Sequence, residues 1–221
     1  MSWDEVWEGV FQRQTWGKYP DESFIRFMAR NFYKVQPRSG VKILEVGCGP
    51  GANIWYLARE GFDAYGIDGS ATAVAQAKER LAQEKLSAHL AVGDIIRLPY
   101  ADGQFDAVAD NECLAHNSAQ NMPKILAEIG RVLKPQGLLY SRTFTDRVYM
   151  GQQRRQLGPM EYSNVSDGPF AGRGFVRLID REGIAKLYGQ LFNLICVDRR
   201  EYSQDDEKMN ISEWIIYAQK R

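Results

Sequence analysis

This 221-residue sequence predicts an α/β fold, a mostly parallel sheet covered by helices, on three observations. From Val41 onward, short apolar runs alternate with amphipathic stretches, as strands and crossover helices do in a parallel sheet. The first run, ILEV, leads straight into GCGPG, a glycine-rich turn that lets backbone approach a ligand at the carboxyl end of a strand. The last two runs are joined by QDDEKMN, too short for a helical crossover, so the final two strands are expected to be antiparallel.

In chain order, DEVWEGVFQR and ESFIRFMARNFY read as two amphipathic helices separated by the aromatic, Gly/Pro-containing turn TWGKYPD. Residues 1–40 are expected to form an N-terminal helical cap or lid. VKILEV is the first strand, ANIWYLARE begins the helix after the glycines, and DAYGID is the second strand. Ser70 is placed to cap ATAVAQAKERLAQEK, where Ala71, Val74, Ala75, Lys78, Leu81 and Ala82 share a face expected to lie on the sheet. AHLAVGD and FDAVAD supply the third and fourth strands. The helix MPKILAEIGRVL gathers Ile125, Ile129, Val132 and Leu133 before KPQG ends it, and GLLYSRTF is the fifth strand.

The pattern breaks after Phe144. Residues 145–175 hold several Gly, Pro, Arg and Gln with no sustained period, the signature of an irregular substrate-side insertion and a candidate lid or wall. DREGIAKLYGQ resumes helix, and LICVDRREYS and ISEWIIYAQK close the sheet, so residues 41–221 are expected to be one domain carrying that insertion.

Composition narrows the function classes. Lys+Arg and Asp+Glu are both 28, and a net charge of zero removes the electrostatic footprint of a general nucleic-acid binder. The opening MSWDEVWEGV lacks a basic-then-apolar signal segment and no apolar run approaches a bilayer span, so a soluble cytoplasmic protein without a membrane partner is expected. Cys48, Cys113 and Cys196 are odd in number and widely spaced, which fits reduced thiols rather than a disulfide framework or a zinc site; no metal is expected.

Gly47, Gly49 and Ala52 satisfy the G-x-G-x-x-G/A pattern of dinucleotide sites, and Asp68 follows roughly twenty residues on, where an acid takes ribose hydroxyls. Gly51, after Pro50, keeps the turn free of side chains. Glu45 discriminates between ligands. A carboxylate at the mouth of this turn repels a pyrophosphate and favours a cation. S-adenosylmethionine has no phosphate and carries an ammonium and a sulfonium, so it suits Glu45 where NAD does not.

Four stretches in order, ILEVGCGPG, YGIDGS, GDIIRLPYADGQFDAV and RVLKPQGLL, make the chain resemble the class I S-adenosylmethionine-dependent methyltransferases over most of Val41 to Thr143. The resemblance implies a doubly wound, Rossmann-like, seven-stranded mixed sheet with a terminal antiparallel strand pair. It also implies that Glu45 and the Gly47–Gly51 turn hold the methionine portion, and that Asp68, with Gly69 beside it, receives the ribose hydroxyls. Asp94 and the backbone of Ile95 would bracket the adenine, and Asn111 would sit where the site closes. S-adenosylhomocysteine would be the product.

Methyl transfer from a sulfonium is an in-line displacement, so the protein must align the nucleophile and exclude water. The expected partner is a small molecule methylated on O or N. His116, in NECLAHNS after the fourth strand, is the candidate base for a hydroxyl acceptor, and a structural role is the competing reading. His89 opens the third strand and is expected at the surface or in a structural role. Trp16 and Tyr19 could fold over the cofactor, with Tyr19 the favoured contact. Arg147, Arg154, Arg155 and Arg173, interleaved with Tyr149 and Tyr162, would suit an acidic acceptor, against the plainer reading of solvated loop charges. Two alternatives stay open: a nicotinamide-dependent oxidoreductase, and a cofactor-binding protein without turnover.

Overall fold

The structure, a computed structural model, describes residues 3–221, so the first two residues of the expected cap lie outside the described residues. Two helices, α1 (Val6–Arg13) and α2 (Glu22–Phe32), precede the sheet. There follow β1 (Lys42–Val46), α3 (Ala52–Arg59), β2 (Asp63–Asp68), α4 (Ala71–Gln83), β3 (His89–Val92), β4 (Phe105–Asn111), α5 (Met122–Val132) and β5 (Leu133–Phe144). Three short strands, β6 (Arg155–Gly158), β7 (Glu161–Ser163) and β8 (Val176–Arg177), lead to α6 (Arg181–Tyr188), β9 (Phe192–Gln204) and β10 (Met209–Lys220).

The main sheet has seven strands in the order β3-β2-β1-β4-β5-β10-β9. The first five are parallel, and β10 runs antiparallel to both β5 and β9. The chain reverses direction of strand growth after β3, so β1 and β4 lie side by side at the switch point where such sheets leave a crevice at their carboxyl ends.

Because both faces are covered, the central strands are apolar on both sides. Ile43 packs with α2 and α3 residues such as Phe24, Phe27, Ile54 and Leu57. Leu44 and Val46 join the opposite core with Ile125, Ile129 and Tyr188 of α5 and α6. The two N-terminal helices therefore differ: α2 is part of a core layer, whereas α1 packs against α4 near the sheet's carboxyl edge.

One local expectation, the Ser70 cap, holds, and others are revised. Ser70 caps α4 through its side-chain oxygen, which accepts the Ala73 N–H at 3.0 Å. The buried face of α4 is Ala73, Val74, Ala77 and Leu81, rotated from the expected one because Ala77 meets α3 at Gly51. KPQG does not separate helix from strand: Leu133 already pairs with Phe105, and the register then jumps to Ala107–Leu138, bulging the tetrapeptide out of β5. The segment after Phe144 is not irregular throughout. It folds as the small antiparallel sheet β6-β7-β8 over its own core of Phe144, Val148, Met150, Val165, Phe170, Val176 and Leu178. Hairpin pairing of strands this short leaves no readable period. Among the described residues no helix is long and apolar enough to cross a membrane.

Candidate active site

At the carboxyl end of β1, the backbone turns at Gly47 with φ +66°, a left-handed value that glycine adopts without strain. A Cβ at Gly47 would collide with the Cys113 side chain, so the loop after β4 closes directly onto this turn. The Gly47 and Cys48 N–H groups donate to the Ile67 carbonyl at 2.8 and 3.0 Å, tying β1 to β2. Asp68, at the end of β2, spans the same gap. Its carboxylate accepts the Gly49 N–H at 2.8 Å and the Ser70 N–H at 2.9 Å. Burial raises its pKa, and those two N–H donors oppose the rise.

Glu45 is 3% exposed. One carboxylate oxygen, Oε1, accepts from Asn53 Nδ2 at 2.6 Å. The other, Oε2, is buried with no partner. Burial lifts its pKa well above the carboxylate range, the Asn53 hydrogen bond opposing and the nearby Asp68 and Asp110 charges adding. Across the crevice, Asn111 Oδ1 is likewise buried and unpartnered. Two orphaned acceptors facing a glycine turn call for a ligand that brings donor hydrogens, since an unsatisfied buried acceptor costs about 1–3 kcal/mol. An ammonium meets that need and a pyrophosphate, which only accepts, does not.

Glu45, Gly47, Gly49, Asp68, Gly69, Ile95, Asn111 and His116 line one cavity. Three expected site residues do not. Gly51, the N-cap of α3, lies between the lining residues Pro50 and Ala52, and its missing side chain is what lets α3 approach Ala77 of α4. Asp94 lies between the lining residues Gly93 and Ile95, with Oδ1 accepting the Ile96 N–H at 3.1 Å in its own turn. Tyr19 is 75% exposed and meets Trp55 edge-on, centroids 5.4 Å apart, on the outer side of α3. Trp16 takes the inward position instead, because it continues the aromatic face of α1 by packing on Phe11 at 5.5 Å and Trp7 at 6.3 Å.

Of the cavity's aromatics, only Trp16 is expected there from the sequence; Trp3, Trp7 and Phe11 are not. Trp3, Trp7, Phe11 and Trp16 all line the cavity, Trp3 lying directly over Gly69. The four-residue spacing of Trp3, Trp7 and Phe11 was a visible signal of one packed face, but nothing local says what that face covers. Glu8 holds α1 in place: its carboxylate accepts from Ser70 Oγ at 2.5 Å and from Thr72 Oγ1, the cap and the first turn of α4.

On the opposite wall, Glu112 follows β4 with φ +70°, a strained value for a residue with a side chain. Its carboxylate is bound by Arg142, which also pairs with Asp21 at 2.9 Å and Glu213 at 3.5 Å. The Arg142 guanidinium holds the Glu112 pKa below its ordinary value against burial. His116 hydrogen-bonds through Nδ1 to the Phe175 carbonyl at 2.6 Å, and Trp7 meets its ring edge-on. Burial depresses the His116 pKa to about 4, so the imidazole is neutral at pH 7, Nδ1 carries the proton and Nε2 is an acceptor. A base that weak holds an abstracted proton poorly. Asn117 Oδ1, beside it, is buried and unpartnered. His89, by contrast, is exposed at the far edge of the sheet, stacked on Tyr65 and 3.3 Å from Asp63.

A family profile described as a methyltransferase domain matches residues 43–137. The methyltransferase GfsG of Streptomyces halstedii is 30% identical over 135 residues, 56% of this chain and 48% of that protein. The chain spans less than half the length of the curated relatives it matches. Among solved structures, a SAM-dependent methyltransferase from Methanosarcina mazei superposes with a TM-score of 0.70 at 21% identity, covering 81% of this chain and 92% of that one. The 1,6-didemethyltoxoflavin-N1-methyltransferase of Burkholderia thailandensis, solved with S-adenosylhomocysteine and its acceptor, gives 0.63 at 17% identity over 97% and 87% of the two chains.

Proposed function

We propose that the chain, whose residues 43–137 match a methyltransferase-domain profile, is a class I S-adenosylmethionine-dependent methyltransferase that transfers a methyl group to an O or N atom of a small molecule. The observation that carries the reading is the unpartnered, buried Glu45 Oε2 at the glycine turn. With Asn111 Oδ1 it would receive the ammonium of S-adenosylmethionine, and Asp68 would exchange a backbone partner for the ribose hydroxyls. The cofactor supplies an electrophilic methyl on a sulfonium. The chain's own part is alignment and exclusion of water: α1 and the tryptophans in and beside it, Trp3, Trp7 and Trp16, cover the cavity, and the strained Glu112 loop fixes the wall opposite.

Asn117 Oδ1 and His116 Nε2 are the acceptors available for the N–H or O–H of the incoming nucleophile. They orient its lone pair toward the methyl without removing the proton beforehand, so His116 acts as a positioning residue and not as a strong base. We place the protein in the cytoplasm, where three free thiols, one of them buried, stay reduced.

Calorimetric titration with S-adenosylhomocysteine beside NAD tests the cofactor. The first is expected to bind and the second not, and Asp68→Ala is expected to weaken the first about a hundredfold, since two charge-assisted hydrogen bonds are lost. Binding of NAD alone would overturn the reading in favour of hydride transfer.

A further inference from the structure

The unsatisfied groups of the cavity are not mixed at random. At the β1 and β4 ends they are acceptors, Glu45 Oε2 and Asn111 Oδ1. On the α1 side they are donors. Trp7 Nε1 and Trp16 Nε1 are both buried without an acceptor, and both residues line the cavity. Arg173 lines it too, with its guanidinium 5.3 Å from the Trp16 ring, and it forms no salt bridge among the described residues.

Arg173 is also held deliberately. It sits in Gly172-Arg173-Gly174, where both glycines have positive φ, +69° and +68°, and a side chain at Gly174 would strike the Asp4 carboxylate. The next residue is clamped from both sides: the Phe175 N–H donates to Asp4 Oδ2 at 3.2 Å, and its carbonyl accepts from His116 Nδ1. Asp4 spends its other oxygen on the Val6 N–H at 3.0 Å, and the Glu112 carboxylate is bound by Arg142 and reaches Arg173 only as a nearby charge, so neither forms a salt bridge with Arg173. Burial lowers its pKa, yet a guanidinium stays charged. A half-buried cation without a salt bridge, beside two orphaned indole donors, is a set of donors that an oxyanion would complete.

Resting on the methyltransferase reading, we propose that Arg173, with the Trp7 and Trp16 indoles, is an anion subsite for the acceptor, which carries a carboxylate or phosphate near the atom that is methylated. Of the four arginines in this region, Arg147, Arg154 and Arg155 are exposed and Arg173 alone lines the cavity. A carboxylate could also come from the methionine portion of the cofactor, and the experiment separates the two sources.

The wild type, Arg173→Met and the charge-keeping Arg173→Lys are titrated calorimetrically with S-adenosylhomocysteine. Each is then saturated with it and titrated with benzoate, inorganic phosphate and the neutral benzamide. The expected result is homocysteine-nucleoside affinity within about threefold of wild type in both variants. Benzoate or phosphate binding to the loaded wild type should fall at least tenfold in Arg173→Met and recover partly in Arg173→Lys, with no matching benzamide site. If Arg173→Met instead weakens S-adenosylhomocysteine tenfold while 5′-methylthioadenosine, which lacks the carboxylate, binds unchanged, the anion is the cofactor's and the proposal is overturned. Anion binding that is absent from the loaded wild type, or indifferent to Arg173, overturns it as well. Should S-adenosylhomocysteine not bind the wild type, the methyltransferase reading fails by itself, and benzoate titration of the free protein decides the anion subsite separately.

Discussion

The two walls of the cavity are built in different ways. The wall proposed to hold the cofactor comes from consecutive strand ends, β1 with its glycine turn and β2 with Asp68, and is closed by hydrogen bonds to backbone N–H groups between neighbouring strands. The wall proposed to hold the acceptor is assembled from α1, the loop after β4 and the Gly172–Phe175 turn, whose joining contacts span 59 residues from His116 to Phe175 and 171 from Asp4 to Phe175, while Glu8 ties α1 to the start of α4. The first wall is preorganised by the fold; the second depends on a few polar contacts that could loosen without unfolding the sheet.

The largest expected effect strikes the preorganised wall. Gly47→Ala combines a left-handed φ with a collision against Cys113, so about 3 kcal/mol of stability and most S-adenosylhomocysteine binding should be lost. A thermal melt and a titration read both; retention of binding would mean the turn is more pliable than its hydrogen bonds suggest. Glu8→Ala should show the opposite balance, releasing α1 from Ser70 and Thr72. Its melting temperature should barely move while affinity falls roughly fivefold, chiefly through faster release.

The walls should also titrate in opposite senses. Burial sets the His116 pKa at about 4, below its ordinary 6.5, so its stabilising effect is present above pH 6.5 and lost as pH falls toward 4. Asp110, beneath the cofactor wall, is pushed up by burial from 3.8 to about 7, so its effect is present below its ordinary value and lost as pH rises through 7. Between about pH 4.5 and pH 7, urea melts should show stability rising more steeply with pH in Asp110→Asn than in wild type, and less steeply in His116→Gln, each by about 1–3 kcal/mol over the window. Parallel slopes in all three proteins would sink the assignment. The smallest effect is expected at Tyr19, where Tyr19→Ala should alter S-adenosylhomocysteine affinity by less than about twofold because the ring meets Trp55 edge-on outside the cavity.

The same division explains what could be read from sequence. The first five strands, the terminal antiparallel pair and the glycine turn follow from periodicity and spacing, because each is a short-range pattern. Glu45, Gly47, Asp68 and Asn111 fall at the cavity for the same reason: a strand end fixes its own neighbours. Tyr19 was misplaced because either aromatic of TWGKYP could turn inward, and Phe11 decides it from another element. Glu112 and Trp3 gave no local signal, since their partners, Arg142 and Gly69, are distant in sequence. The small sheet after β5 escaped because its strands run for two to four residues.

The placement of the indoles has a practical consequence. Trp3, Trp7 and Trp16 lie along the cavity, whereas Trp214 is buried in the sheet with its N–H fixed on the Ile179 carbonyl at 2.8 Å, and Trp55 lies under Lys18. Indole emission responds to local polarity and to nearby charges, so the chain carries its own optical probe: three emitters that sense occupancy, and a fourth, Trp214, whose sealed surroundings give a steady reference against which their change can be measured.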